Sequence, residues 1–277
     1  MGPRRIEVDD ASDPRLDDFR DLRAMTGRRV REDELGHVVI EGTLALHRAL
    51  QGPLQIRSVL VSPAKADRVL AMCESLPQAV DLLVSPRPLI EEVSGFDVHR
   101  GVLASAVRPE PTDPAELLAR ARRLVVLEAL TDLENVGAAF RVAAALGFDA
   151  VLVDDACADP LYRRCVRVSL GWSTVIPFAR LQPGEPLLDE ARRAGFTTVA
   201  LTPAEDSTPV DEAADTGLLA PPVALAVGAE GPGLTDEAIS SASHRVRIPM
   251  QPGVDSLNAA TALGVVCAFA AAADGWG

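Results

Sequence analysis

Three separated stretches of this chain carry polar side chains where the neighbouring sequence is apolar or rich in glycine. The first, Thr131-Asp132-Leu133-Glu134-Asn135-Val136-Gly137-Ala138-Ala139-Phe140-Arg141, places Asn135 near a helix start and Arg141 six residues on. Helical geometry can bring the two to similar faces. An arginine inside the apolar run Val136 to Leu146 needs an anionic partner or an exit to solvent. The second stretch, Gly228-Ala229-Glu230-Gly231-Pro232-Gly233-Leu234, has three glycines in six positions, which lets backbone approach a ligand closely. It is not GxGxxG and no P-loop lysine follows, which argues against dinucleotides and nucleoside triphosphates. The third, Arg247 to Ala260, runs from a short apolar strand through a Pro-Gly loop toward a helix. Asp255 and Ser256 are the N-cap candidates there, because their oxygens accept free helix N–H groups. The helix expected from Leu257 to Ala273 is almost wholly apolar, so it should be buried, within the chain or against another subunit.

The elements that must position these residues follow from periodicity. Leu124–Leu127, Ala150–Val153, Thr197–Leu201, Pro222–Val227 and Arg245–Ile248 read as strands, with a further one starting at Val175-Ile176. Val136–Leu146, Pro160–Leu170, Leu187–Ala194 and Asp236–Ser241 read as helices between them. Fully apolar strands separated by helices predict a parallel sheet covered on both faces, whose ligands bind beyond the carboxyl ends of the strands. Upstream, strands at Val38–Ile40, Ile56–Val61, Val80–Val84 and Gly101–Val107 alternate with helices at Thr43–Leu50, Ala66–Cys73 and Pro88–Val93, a smaller α/β domain. Leu44, Leu46 and Leu50 are expected inward on the first of these helices. Three prolines in Pro109 to Pro114 make a stiff joint between the halves. The division read from the chain is a charged arm over 1–34, a domain over 35–108, a linker over 109–121 and a second domain over 122–277. Arg20 to Arg31 reads as a helix or an arm.

At 277 residues with 48% apolar and 24% charged residues, the chain suits a soluble globular protein of one or two domains. The N-terminus lacks the apolar core of a signal peptide, and the apolar run Ala259–Ala273 is too short to span a bilayer. Four cysteines without a CxxC pair predict neither structural disulfides nor a zinc site, and a reducing cytoplasm fits. A net charge of −13 argues against wholesale binding of a polyanion. Yet Lys65 is the only lysine, and the arginines cluster; Arg163, Arg164 and Arg167 beside Tyr162 suit RNA phosphate, a subunit interface or salt bridges. His244, just before the last strand, reads as structural.

The motifs Asn135-Val-Gly137-x-x-x-Arg141, Gly228-x-Glu230-Gly-x-Gly233, and Ile248-Pro-Met250 with Ser256-Leu-Asn258 occur in this order at strand-to-helix junctions. Residues 124–273 thereby resemble the SpoU/TrmH branch of the SPOUT RNA methyltransferases. The first half resembles, more loosely, a ribosomal-protein-like RNA-binding module, on Val39-Ile-Glu41-Gly42 and on Ser94-Gly95 with His99-Arg100-Gly101. The resemblance implies an α/β fold whose parallel sheet contains a deep trefoil knot, preceded by that module as the RNA substrate-binding domain. It implies S-adenosyl-L-methionine as cofactor and methyl transfer to a ribose 2′-hydroxyl of structured RNA, ribosomal ahead of transfer RNA. It also implies a homodimer with the active site completed across the interface, and neither a metal nor a membrane. Carried over residue by residue, Thr202, Gly228, Glu230, Gly231, Ile248, Met250 and Leu257 fall at the cofactor. Arg141, Asn135, Glu230, Ser256 and Asn258 fall at the catalytic positions.

Arginine is normally too basic to surrender a proton, so the expected role of Arg141 is to clamp a substrate phosphate and stabilise developing charge. The chain departs from the family pattern twice. Asp132-Leu133-Glu134-Asn135 stands where Asp-Pro-x-Asn is common, and Pro252 stands where glycine is common, which removes a donor and fixes φ. A non-catalytic RNA-binding or assembly factor of this fold, and a protein that binds the same cofactor for a non-RNA substrate, are the competing readings.

Overall fold

A computed structural model describes residues 2–22, 36–74, 76, 79–98 and 101–273. Contacts divide the chain into two units, Met1–Glu110 with Leu161–Val175, and Pro111–Pro160 with Ile176–Gly277.

The first unit is built on a five-stranded sheet in the order β1-β4-β3-β5-β2, formed by β1 (Arg4–Glu7), β2 (His37–Glu41), β3 (Ile56–Val61), β4 (Asp81–Val84) and β5 (Val102–Val107). β1, β4 and β3 run parallel, and β5 is antiparallel to β3 and β2. The charged arm expected over 1–34 is, over its described part, integral to this unit. β1 pairs with β4, and Val8, Leu16, Phe19 and Leu22 enter a core with Val39, Leu60, Leu83, Ile90 and Leu103. Few apolar residues suffice because the 3-10 turn Pro14–Phe19, capped by the Asp13 side chain, points Leu16 and Phe19 the same way. Arg23 to Arg31, His99 and Arg100 lie outside the described residues.

Helix α1 (Thr43–Ala49) buries Ala45, Leu46 and Ala49, while Leu44 is 40% exposed. At about 100° per residue, positions 44 and 46 stand on opposite sides, so both leucines cannot face the core. Helices α2 (Pro63–Cys73) and α3 (Arg87–Ser94) complete this part of the unit.

The helix expected over Pro160–Leu170 is shorter, α6 (Arg163–Val168), and it belongs to the first unit, packed on β2. Arg163 is buried. Its guanidinium pairs with the Glu41 carboxylate, donates to the Leu22 carbonyl at 3.2 Å and lies 4.5 Å over the Phe96 ring. Arg167 approaches the same carboxylate at 3.6 Å. Of the readings open for these arginines, salt bridging describes both Arg163 and Arg167. Val175 closes a short 3-10 turn here rather than opening a strand.

The second unit carries a seven-stranded sheet in the order β10-β12-β9-β11-β6-β7-β8, every pair parallel. Its strands are β6 (Arg123–Leu127), β7 (Ala150–Val153), β8 (Phe178–Arg180), β9 (Thr197–Leu201), β10 (Thr208–Pro209), β11 (Val223–Val227) and β12 (His244–Arg247). Its helices are α4 (Pro114–Arg120), α5 (Leu133–Ala145), α7 (Leu187–Arg193), α8 (Val210–Asp215), α9 (Asp236–Ser241) and α10 (Ala259–Ala273). The proline-rich stretch read as a linker opens α4: Asp113 accepts the Ala115 N–H at 2.7 Å and Pro114 takes the first helical position, where a missing N–H costs nothing. Apolar runs on the central strands build the core, with Leu124, Val126, Leu152, Ala200, Ala224 and Ala226 buried among helix residues such as Leu188 and Ala191. All four cysteines are buried, and none is joined in a disulfide.

Arg163→Ala would leave Glu41 buried with only the longer contact to Arg167. It should destabilise the first unit by about 3–5 kcal/mol, the usual cost of orphaning one partner of a buried pair. Arg163→Lys should recover only part, lacking the planar fork that both pairs and stacks. Urea unfolding followed through the fluorescence of Trp172, which lies in the same unit, measures both.

Candidate functional site

The carboxyl ends of β6, β9, β11 and β12 lie at one edge of the second sheet because these strands run parallel and adjacent. Three loops leave that edge, carrying the three polar stretches of the sequence. The loop after β6 enters α5 through Asp132, which caps it by accepting the Glu134 N–H at 2.6 Å. Leu133 occupies the first helical position, the one position where the family's proline and any other residue are interchangeable for hydrogen bonding. Asn135, one turn in, is buried at 8% exposure.

The Asn135 side chain joins the three stretches. Its Nδ2 donates to Glu230 Oε1, and its Oδ1 accepts from Asn258 Nδ2 at 2.8 Å. Asn258 Oδ1 in turn accepts the Thr261 N–H at 3.2 Å, so Asn258 caps α10. The helix thus starts at Ala259 rather than at Leu257, and the cap is not at Asp255 or Ser256, which are exposed in the preceding loop. Asn135 lies in the first turn of one helix and Asn258 at the start of another, and α5 and α10 pack together.

The glycine loop is closed on itself. Gly233 donates its N–H to the Ala229 carbonyl at 2.9 Å, and a Cβ on Gly228 would fall 2.1 Å from the Gly233 carbonyl carbon. Gly233 itself has φ of 76°, a left-handed conformation that favours glycine. In the third loop, Pro252 and Gly253 are the central residues of a turn in which Val254 donates to the Gln251 carbonyl at 3.2 Å. Proline followed by glycine at φ of 85° is the pattern of a type II turn, so Pro252 sits where no donor is required of it.

These loops line a cleft of about 340 Å³. Thr202, Gly228, Glu230, Gly231, Ile248, Met250 and Leu257 all border it, as do Ser256 and Asn258. Asn135 does not line the cleft but reaches its edge through Glu230 and Asn258. Arg141 is apart from both. It is exposed on α5 and makes no ion pair or hydrogen bond with the described residues. Six helical residues turn through about 600°, which leaves it about 120° around from Asn135 rather than on the same face. Of its two expected options, it takes the exit to solvent.

Other residues that shape this edge stand outside the motifs. Asp154 accepts the Ala129 N–H at 2.8 Å, holding Ala129 at φ of 51°, and Arg180 donates to the carbonyls of Asp154 at 2.6 Å and Cys157 at 2.9 Å. Burial drives the Cys157 thiol pKa far up, and hydrogen bonding with Asp154 adds to it. Glu128, buried at the end of β6, accepts from Thr235 N–H and hydroxyl. The signal for Glu128 and Asp154 was present: each is an acid placed directly after a wholly apolar strand. Among the described residues, no group of three or more His, Cys, Asp or Glu side chains could hold a metal.

The profile of the SpoU rRNA methylase family matches residues 122–268, the span of this sheet and its three loops. The chain belongs to that family. An uncharacterized tRNA/rRNA methyltransferase of Mycobacterium bovis is 41% identical over 259 residues, covering 92% of this chain and 88% of the relative. A solved RNA 2′-O ribose methyltransferase superposes with a TM-score of 0.76 at 28% identity, covering 97% of this chain and 99% of that one. An AdoMet-bound rRNA methyltransferase from Sinorhizobium meliloti shares the fold, with a TM-score of 0.78 at 24% identity over 96% of this chain and 97% of that one. SpoU membership accounts for the order of the three motifs and for their meeting at one sheet edge.

Gly228→Ala should cost about 1–3 kcal/mol, because the added methyl overlaps backbone that closes the loop. Gly231→Ala, with nothing within 4 Å but φ of 92°, should cost only the left-handed penalty of about 1–2 kcal/mol. Denaturant unfolding of the two variants separates steric from conformational cost.

Proposed function

We propose that this SpoU-family protein transfers the methyl group of S-adenosylmethionine to a ribose 2′-hydroxyl of structured RNA, ribosomal RNA ahead of transfer RNA. The observation that carries this reading is the Glu230–Asn135–Asn258 chain, which fastens the cleft to the helix bearing Arg141, exposed and unpaired among the described residues. The cleft suits the cofactor's chemistry. Ile248, Met250 and Leu257 offer apolar surface to an adenine ring, strand-end backbone at Thr202 and Gly228 offers polar groups to its edge, and Glu230 offers a carboxylate to a cation. Bound there, the cofactor supplies a sulfonium methyl as electrophile.

The chain's own residues must make a weak nucleophile reactive. A ribose hydroxyl has to lose its proton as it attacks, and no His, Lys or Cys lines the cleft. Arg141 serves as the electrostatic partner: its fork holds a backbone phosphate next to the reacting ribose and stabilises the charge that develops on the oxygen. Asn135, Glu230, Ser256 and Asn258 hold loops and substrate in register, as effective reaction demands.

The functional unit in this reading is a homodimer. Helix α10 carries no charged residue, and Phe269 on it stays exposed, as do Val254 and Leu257 on the loop before it. Such a face favours a second copy. Arg141 lies outside the lining of its own chain's cleft, which fits a site completed by the partner. The deep trefoil knot, the RNA-binding role of the first domain (35–108) and the cytoplasm as the working compartment belong to the same proposal. They rest on family resemblance, and on the RNA substrate for the last. No helix among the described residues is long and apolar enough to cross a membrane.

The test incubates the protein with methyl-labelled S-adenosylmethionine and unmodified ribosomal RNA, transfer RNA or assembled large subunits, followed by digestion to nucleosides. A 2′-O-methyl nucleoside from one RNA supports the reading; cofactor binding without transfer to any of them points to a different substrate or a missing partner, and absence of cofactor binding as well favours the non-catalytic alternative. Arg141→Ala should lower transfer by roughly 10²–10³-fold, the scale of losing one charge-stabilising donor, with cofactor affinity nearly unchanged. Loss of both together overturns the role given to Arg141.

A further inference from the structure

Glu128 belongs to none of the three motifs, yet it touches both ends of the glycine loop. It is the first residue beyond β6. Its N–H donates to the Val227 carbonyl at 3.0 Å, directly before Gly228. Its carboxylate spans to the other end, where Oε2 accepts the Thr235 N–H at 2.7 Å and Oε1 accepts the Thr235 hydroxyl at 2.8 Å. Because an ionised carboxylate only accepts, the hydroxyl proton points to Glu128, and its lone pair is left to accept the Ala238 N–H at 3.2 Å, capping α9. The loop from Gly228 to Thr235 is therefore closed at entry and exit by one residue, and pinned to a rigid helix beyond.

Glu128 is 9% exposed, and its carboxylate is met by Thr235 groups rather than by a cation among the described residues. A buried charge compensated by two neutral donors is an expensive way to hold a loop. An apolar residue at the end of an apolar strand would pack at lower cost. What the carboxylate adds is direction: it fixes the loop's exit to within a hydrogen bond, and with it the backbone of Gly228, Glu230 and Gly231 that borders the cleft.

We infer that Glu128 is a positioning residue that preorganises the glycine loop for S-adenosylmethionine. The inference rests on the reading that this loop grips that cofactor. Glu128 acts through the loop and touches no reacting atom.

The experiment compares Glu128→Ala, Glu128→Gln and Thr235→Val with the unaltered full chain. Three quantities are read: amide hydrogen exchange without added ligand, calorimetric affinity for S-adenosylmethionine, and the urea midpoint. Glu128→Ala should accelerate exchange in residues 228–235 beyond the rest of the unit, and weaken the cofactor about ten- to a hundredfold, as loss of two charge-assisted bonds implies. Glu128→Gln keeps an acceptor for the N–H and can donate to the hydroxyl, so it should stay within about threefold of the unaltered chain. Thr235→Val, which keeps the N–H bond alone, should fall between. Native exchange in 228–235 and native affinity in Glu128→Ala overturn the inference, as does a Gln variant as impaired as the Ala variant. If Glu128→Ala does not fold, the order of the Gln and Val variants still decides. Failure of the unaltered chain to bind the cofactor would count against the proposed function instead, while the exchange of residues 228–235 would continue to judge Glu128.

Discussion

The arrangement depends on one side-chain amide. Asn135 has to accept on one side and donate on the other, and among side chains of its size only an amide does both at fixed spacing. The Thr261 N–H points to Asn258 Oδ1, the Asn258 amide points to Asn135 Oδ1, and the Asn135 amide points to the Glu230 carboxylate. Every donor faces the same way, from a helix N-terminus toward an anion, so each bond polarises the next. Replacing Asn135 with aspartate would remove a donor and set two carboxylates against each other, and the same change at Asn258 would set a carboxylate against the Asn135 amide oxygen. Three loops far apart in sequence are held to one geometry by this chain, and that explains why its members stand in three separate motifs.

The sheet makes the chain possible. Parallel strands deliver their carboxyl ends to one edge, and the order β12-β9-β11-β6 puts the loops after β6, β11 and β12 within reach of one another. Crossover helices then cover both faces, which makes the central strands β6, β7 and β11 apolar over nearly their whole length. Acids can enter only at strand ends, where backbone donors await them. Glu128 and Asp154 are in that position, one tied to Thr235 and the other to Ala129 and Cys157. Their bonds hold loop backbone in place, including an alanine in the left-handed region, so the stiffness of the site comes from buried and half-buried acids at the rim of a hydrophobic core.

Strand positions in the second unit were legible because burial on both faces writes an uninterrupted apolar run. Ala150–Val153, Thr197–Leu201 and the helix Asp236–Ser241 match their expected bounds, and the remaining strands there except two differ by a residue or so. The misses have local causes. Thr208–Pro209 is too short to carry periodicity, and the strand placed at Val175 begins at Phe178 because Gly171 to Val175 turn back within the first unit. A chain that leaves one unit and returns has no signature in hydrophobic pattern. The N-terminal segment misled for a different reason: its charges are visible, but Arg4 pairs with Asp81, and Arg20 binds Asp17 and two backbone carbonyls, partners that sequence does not place. At the site, residue types and order were readable, whereas the helical angle separating Arg141 from Asn135, and Asn258 as the true cap, needed the observed helix starts.

Charge poses the last problem, since a net −13 must coexist with recognition of RNA. Much of the basic complement is spent internally: Arg163 on Glu41, Arg180 on backbone carbonyls, Arg87 on Glu91 and Asp97. An arginine committed in this way offers little to a phosphate, because its donors are already directed. Arg141 differs in being exposed with its fork unengaged by the described residues, so a phosphate meeting it gains bidentate contact without first breaking a bond to them. Binding of this kind releases few counterions, so its salt dependence is shallow for a nucleic-acid protein. In the proposed reaction, discrimination falls to the fit of a ribose and its neighbouring phosphate against a preorganised cleft, which is the same demand that the Asn135 chain meets on the protein side.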